Sequence, residues 1–284
     1  DLHLSIRRQR QMCIRDSTKI LVCMAEIIED IMEESLKRIL DRTSCGTSSS
    51  IMELKKDENM TMHRSDHEST TASAKKIKAM DSSSVHRLCS GQVILTMGIA
   101  VKELVENALD AGATNIEVRL HEYGSKVIEV SDNGKGVTEE NFEALTLKHH
   151  TSKISDFEDV SSVSTFGFRG EALSSLCAVS KLSVMTRHSS SETGTRLDYD
   201  HNGIIVNQET YARPVGTSVR LQELFCTMPV RLKEFQRNLK KEFTKMMHHL
   251  HAYCLISTGV RITCINVSDK GKRTVAVNTG GHLT

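Results

Sequence analysis

The sequence of 284 residues has eight cysteines but no C-x-x-C pair, and none lies near histidines at zinc-ligand spacing. This reads as reduced, mostly structural thiols, not as a disulfide framework. No apolar run approaches the roughly 18 residues that a membrane-spanning helix requires, so no membrane partner is expected. Neither sign of charge is in excess: 37 Lys and Arg stand against 36 Asp and Glu, for a net charge of +1. Any nucleic-acid surface would have to be local. There is also no G-x-x-x-x-G-K-[ST], because Gly134-Lys135 and Gly271-Lys272 are not followed by Ser or Thr, and no G-x-G-x-x-G follows a strand. A bound nucleotide would be held by neither a P-loop nor a dinucleotide fingerprint.

The length allows one large domain or two ordinary ones, with a full core. Residues 1–80 differ from the rest in being rich in Ser, Thr, Met and charge. "TSCGTSSS" and "SDHESTTASAKKIK" are expected to be disordered tail. Between Ile20 and Leu40 the spacing of Leu21, Met24, Ile28, Ile31, Met32, Leu36 and Ile39 fits an amphipathic helix. The opening "RRQRQMCIRDS" resembles translated adapter sequence. Residues 1–17 are therefore expected to be an artefact and 18–59 translated leader, with Met60, Met62 and Met80 as candidate starts.

From Ser84 onward the pattern is globular. "KELVENALDAG", Lys102 to Gly112, places Val101, Leu104, Val105, Ala108 and Leu109 on one helical stripe. The other face carries Glu103, Glu106, Asn107 and Asp110, with Lys102 at its edge. A mid-helix Asn among unbalanced acids points to the wall of a site, since Asn is a poor helix former. Strands are expected at "TNIEVRLHE", "SKVIEVSD", Lys181–Thr186, Thr195–Tyr199, Ile204–Asn207, Thr217–Leu221, Arg261–Val267 and Thr274–Val277. "HNG" at 201–203 supplies a tight Asn-Gly hairpin turn. Helices are expected over Glu139–Leu147, in "GFRGEALSSLCAVS", and as one long helix over Val230–Ile256. The sum is α+β, a two-layer sandwich with a mixed sheet and helices on one face. The domains are expected at 1–80 (extension), 81–260 (ligand-binding) and 261–284 (final strands, or the start of a second domain).

Two further motifs carry chemistry. "SDNGKGV" ends a strand with Asp132, Asn133, Gly134, Lys135 and Gly136. It reads either as an ordinary turn or as an Asp presented to an exocyclic amine, with glycines allowing close backbone approach. "TFGFRGEAL", Thr165 to Leu173, leads Gly167, Phe168, Arg169 and Gly170 into a helix whose free N–H groups suit an anion.

In this order and spacing the three segments resemble the ATPase module shared by DNA gyrase, the ninety-kilodalton heat-shock chaperone, sensor histidine kinases and MutL, with a Bergerat-type fold. "KELVENALDAGAT", "DNGKGV", "LKHHTSKI" and "TFGFRGEALSSL" are similar to MutL mismatch-repair proteins in particular. "SSVHRLCSGQV", "GTSVRLQELFCTMPVRLKEFQRN" and "HAYCLIS" resemble the eukaryotic PMS type, and the likeness runs from about Ser84 to about Arg273. Lys135 stands where relatives often have a small residue or Cys, and "SGQV" varies the bacterial-type "AGEV".

The resemblance implies the following roles. Glu103 is the general base that orients water towards the γ-phosphate of ATP, and Asn107 offers its side-chain oxygen to Mg²⁺. Asp132 accepts from the adenine amino group, with Gly134 and Gly136 near the base and Thr217 assisting. Thr151, Ser152 and Lys153 begin a lid, and Gly167, Phe168, Arg169, Gly170, Glu171, Ala172 and Leu173 wrap the phosphates. Glu106 and Asp110 are expected to be structural or solvated. The implied function is Mg-dependent ATP hydrolysis driving a conformational clamp in mismatch repair. The implied partner is an MLH-type subunit in a heterodimer, in the nucleus. The family's second N-terminal domain, which supplies a lysine to the γ-phosphate, and its C-terminal endonuclease domain are expected to lie outside this chain. The alternative is a non-catalytic paralogue that binds nucleotide, DNA or a partner without turnover.

"RLKEFQRNLKKEFTK" has Arg231, Lys233, Arg237, Lys240, Lys241 and Lys245 against Glu234 and Glu242. It reads as a DNA-facing surface or as the solvated face of a helix. Histidines 248, 249 and 251 lack partners at metal-ligand spacing and are read as core or surface. His149 and His150 are expected to pack or hydrogen-bond beside the lid.

Overall fold

The structure is a computed structural model that describes residues 79–153, 165–167 and 169–281. The expected helix over 20–40, the tail before residue 79 and Phe168 lie outside the described residues. The chain divides into two units, Asp1–Ala79 and Met80–Thr284, and the second holds the elements below.

Helix α1 (Ser82–Val93) starts at Asp81, whose carboxylate accepts from the Ser84 N–H at 2.8 Å. Helix α2 (Met97–Asp110) starts at Thr96, whose hydroxyl accepts from the Ile99 N–H at 3.2 Å. The expected stripe on α2 is its buried face: Val101, Leu104, Val105 and Ala108 are each at most 3% exposed. The helix ends at "DAGA" by a Schellman motif. The Ala113 N–H donates to the Ala108 carbonyl at 3.1 Å and the Gly112 N–H to that of Leu109 at 2.9 Å, with Gly112 at φ +74°. Nothing lies within 4 Å of a Cβ added at Gly112, so only the left-handed backbone demands glycine there. Gly112→Ala is therefore expected to lower stability by about 1 kcal/mol, read as a lower urea midpoint with an unchanged slope.

Strands β1 (Asn115–His121), β2 (Val127–Asp132), β3 (Lys181–Arg187), β4 (Gly194–Tyr199), β5 (Ile205–Tyr211), β6 (Gly216–Gln222), β7 (Arg261–Val267) and β8 (Arg273–Asn278) form one sheet. Its order is β5-β4-β3-β6-β2-β1-β7-β8, and only β1 and β7 pair in parallel. Ile116, Val118 and Leu120 of β1 point into the core, as their alternation predicts, and Ile128, Val130, Ile262 and Cys264 continue that layer. Helices α2, α3 (Ala172–Val179) and α5 (Leu239–Ile256) bury their apolar faces in the same core. The mixed sheet with helices on one face is thus the observed architecture. Among the described residues no single helix is long and apolar enough to cross a membrane.

Three local expectations are corrected. The helix over Glu139–Leu147 is instead two 3-10 turns, Glu139–Asn141 and Ala144–Thr146. The carbonyl of buried Phe142, which a helix would bond internally, accepts from the Tyr199 hydroxyl at 2.8 Å. The single helix over Val230–Ile256 is broken at Asn238 into α4 (Pro229–Arg237) and α5. The break lets Phe235 meet Phe225 edge-on at 5.7 Å while Phe243 turns to Tyr123 at 5.2 Å. The "HNG" turn is a loop of three residues, not two. Asp200 N–H bonds the Ile204 carbonyl, and positive φ falls on Gly203 alone.

Candidate active site

The polar face of α2 is not wet along its length. Asp110, 5% exposed in its side chain, collects three donors: the Lys153 ammonium at 2.6 Å and the N–H groups of Phe166 at 2.9 Å and Gly167 at 3.1 Å. The same ammonium donates to Asn107 Oδ1 at 3.0 Å. A Cβ on Gly167 would come within 3.2 Å of Lys153 Nζ and 3.9 Å of Asn107 Oδ1. The helix, the first residues of the expected lid and the glycine loop therefore converge at the C-terminal turn of α2. Asn107 and Asp110 together present oxygen atoms that already hold one cation, a donor set that suits hard Mg²⁺. Among the described residues no three His, Cys, Asp or Glu side chains are grouped to hold a metal.

One turn earlier, Glu103 is 26% exposed in its side chain and lies 3.3 Å from the Lys102 ammonium. Lys102 also reaches Glu106 at 2.9 Å. Burial opposes the charge on Lys102, but hydrogen bonds and attraction from Glu106 and Glu103 outweigh it and hold the ammonium above the ordinary lysine range.

The other half of the site is built on the end of β2. Asp132 Oδ1 accepts from the Gly134 N–H at 2.8 Å and the Thr217 N–H at 3.2 Å. Burial pushes the Asp132 carboxyl up, and these two N–H groups only partly offset it. Thr217 hydroxyl lies 3.1 Å from that of Thr186, which accepts from the Val137 N–H at 2.9 Å, so β3, β6 and the segment that follows β2 are tied together beside Asp132. Asn133 closes the motif: its Oδ1 accepts from the N–H groups of Thr114 and Asn115 at 2.9 and 2.8 Å. The glycines face the chain's own backbone. A Cβ on Gly136, at φ +74°, would lie 2.0 Å from the Arg187 carbonyl oxygen, and one on Gly134 would lie 2.8 Å from Ala111. What demands glycine at 134 and 136 is thus contact with α2 and β3. The Lys135 N–H donates to the Ala111 carbonyl at 3.1 Å, one residue beyond Asp110, so the two halves of the site meet at the end of α2.

The glycine loop and the lid are joined a second time. The His149 N–H donates to the Gly170 carbonyl at 3.1 Å, His149 Nδ1 lies 3.4 Å from Glu171, and a Cβ on Gly170 would strike the His150 carbonyl. His150 Nδ1 lies 2.9 Å from the Lys148 carbonyl, so both histidines make contacts beside the lid. Thr151 Oγ1 accepts from the Lys153 N–H at 3.1 Å, while Ser152 and Arg169 are exposed. Glu171 occupies the cap position of α3 without a side-chain cap bond, and Ala172 and Leu173 form the first turn behind it. Of the basic residues on α4 and α5, Arg231 faces inward. Its guanidinium donates to the carbonyls of Gly91 and Ile94 and lies 5.6 Å from the Phe225 ring centre, which removes it from the expected DNA-facing set. Lys233, Arg237, Lys240 and Lys241 are exposed, and Lys245 is half-buried.

Asp110 and Glu106, expected to be structural or solvated, are both engaged in the site region. Glu106 is 6% exposed and accepts from the Tyr253 hydroxyl of α5. The one sequence signal for this was the Lys102–Glu106 spacing of four.

A carboxylate-and-amide helix face, an Asp at a strand end and a glycine loop running into a helix define a nucleotide-binding module without a P-loop. Residues 95–222 match the family of histidine kinase-, DNA gyrase B-, and HSP90-like ATPases. The human mismatch repair endonuclease PMS2 is 62% identical over 213 residues, covering 75% of this chain and 25% of that protein. The Arabidopsis thaliana DNA mismatch repair protein PMS1 is 49% identical over 213 residues, covering 75% of this chain and 23% of that protein. The crystal structure of the N-terminal domain of a DNA repair protein aligns with a TM-score of 0.61 at 43% identity, over 69% of this chain and 56% of that one. The Aquifex aeolicus MutL ATPase domain complexed with ADP aligns with a TM-score of 0.50 at 28% identity, over 66% of this chain and 65% of that one. The chain carries the ATPase module of the MutL mismatch repair family, of PMS type. It spans about a quarter of the length of the human and chicken PMS2 proteins, 25% and 24%.

Proposed function

We propose that this module binds ATP with Mg²⁺ and hydrolyses it, and that the nucleotide cycle drives a clamp in mismatch repair. The observation that carries this reading is the convergence of the Lys153 ammonium and the Phe166 and Gly167 N–H groups on one carboxylate at the end of α2. These are the donors a triphosphate requires, and they come from the segments that would close over it. Gly167, Phe168, Arg169, Gly170, Glu171, Ala172 and Leu173 would line the phosphates, with Thr151, Ser152 and Lys153 as the start of the lid. Asn107 would hold Mg²⁺, which when bound neutralises charge developing on the phosphates. Glu103 would orient the attacking water. Asp132, with Gly134, Gly136 and Thr217 around it, would accept from the adenine amino group.

Lid ordering would favour association with an MLH-type subunit in the nucleus, and Lys233, Arg237, Lys240, Lys241 and Lys245 would contribute to DNA contact. Asp132→Ala tests the nucleotide reading most simply. Losing one charge-assisted hydrogen bond costs about 1.5–3 kcal/mol, so the ATP Kd by calorimetry should rise about tenfold to a hundredfold, with GTP unaffected in comparison. An unchanged Kd, in a variant whose circular dichroism is native, would remove adenine from Asp132.

A further inference from the structure

Two side chains of the site region have no role in that reading. Glu106 is a buried carboxylate on the same helix as Glu103, and Tyr253 belongs to α5, which packs against that helix from the far end of the sequence. They are joined in a continuous series. The Tyr253 hydroxyl donates to Glu106 Oε1, the Glu106 carboxylate lies 2.9 Å from Lys102 Nζ, and Lys102 Nζ lies 3.3 Å from Glu103 Oε1. The Tyr253 ring also meets Phe166 of the glycine loop edge-on, with ring centres 5.9 Å apart. One side chain thus touches the residue just before the segment expected to wrap the phosphates and, through two ionic contacts, is linked to the carboxylate expected to orient water.

We propose that Tyr253 is a positioning residue for hydrolysis: it anchors Glu106, which fixes Lys102, which in turn holds the Glu103 carboxylate in one orientation. A lysine ammonium on a flexible stem is a poor locator by itself, because its three donors turn freely. Anchored by a carboxylate that is itself buried and hydrogen-bonded, it presents one donor in a fixed direction to Glu103. The series is anchored at its buried end, Tyr253 and Glu106, and a satisfied buried pair of this kind is rigid. The mid-helix pair then has a division of labour, with Glu103 turned to the ligand side and Glu106 turned to the α5 side. The contact with Phe166 places the same hydroxyl where movement of the glycine loop would be felt.

This inference rests on the proposed ATPase reading, and two measurements separate the two. Tyr253→Phe keeps the ring and its Phe166 contact and removes only the hydroxyl. It should lower kcat for ATP about tenfold while leaving KM, nucleotide Kd and the thermal midpoint close to those of the unaltered chain. Lys102→Met should match that loss, and Lys102→Arg, which keeps a cation between the two carboxylates, should restore part of it. The second measurement needs no turnover. In protein labelled with [¹³C]carboxyl-Glu, the Glu103 resonance, identified by its loss in Glu103→Gln, should move in Tyr253→Phe and Lys102→Met towards the position of a solvated glutamate. An unmoved Glu103 resonance in Tyr253→Phe overturns the positioning role whether or not the chain hydrolyses ATP. A moved resonance with no loss of nucleotide binding upholds it. If Glu103→Gln itself leaves hydrolysis intact, the catalytic reading of Glu103 fails independently of the series that positions it.

Discussion

Glu103→Ala is expected to reduce ATP turnover by at least about a hundredfold, the lower end of what a positioned general base contributes. Nucleotide Kd should stay within about threefold, because in the proposed role the side chain would act on the water and not on the bound ground state. The structure supports this separation. Among the described residues the Glu103 carboxylate meets Lys102 alone, at 3.3 Å, and none of Lys153, Phe166 and Gly167 bonds to it. Its removal therefore leaves the Asp110-centred contacts of Lys153, Phe166 and Gly167 in place. The check is phosphate release at saturating ATP beside calorimetric binding on the same preparation. If binding fell in proportion to turnover, Glu103 would be a binding residue and the role of base would pass elsewhere.

Much of this arrangement was legible in residue order. The stripe of α2, the alternation of β1 and the glycine ending "DAG" are local signals, set by periodicities and by one backbone angle, and each has its structural counterpart. Most strands lie within two residues of the expected bounds. β5 runs four residues further, to Tyr211, because an exposed edge strand carries little alternation to read. What was not legible depends on partners far away in sequence. Glu106 looked like one more acid on a polar face, and its burial follows from Tyr253, 147 residues on. Asp110 read as structural or solvated without a choice between them, and its donors come from residues 153, 166 and 167. Arg231 counted as one charge in a basic run, although its guanidinium is used on the carbonyls that end α1. The glycines of "DNGKG" read as an ordinary turn or as room for a ligand's close approach, and the sequence could not say that they face Ala111 and Arg187.

Asn107→Ala should remove the Mg²⁺-dependent part of nucleotide affinity while leaving binding in excess chelator unchanged. The expected loss is at least the tenfold to hundredfold, roughly, that removing even an outer partner costs a metal site. Asn107 Oδ1 and the Asp110 carboxylate share the Lys153 ammonium at 3.0 and 2.6 Å, so one positive charge already sits between them. A divalent cation on Asn107 would repel that ammonium, and the attraction of Lys153 to Asp110 would weaken with it. Lys153 would then be released towards added negative charge, which a triphosphate provides. Binding of metal and movement of the lid would on this account be one event, with Asn107 Oδ1 as the atom they have in common. The Ala variant keeps the Lys153–Asp110 pair and removes only the amide oxygen proposed for the metal. It should therefore bind nucleotide equally well with and without Mg²⁺, and calorimetry at two metal concentrations reads this directly. A variant that still gained affinity from Mg²⁺ would place the metal on other oxygens and separate the lid from it.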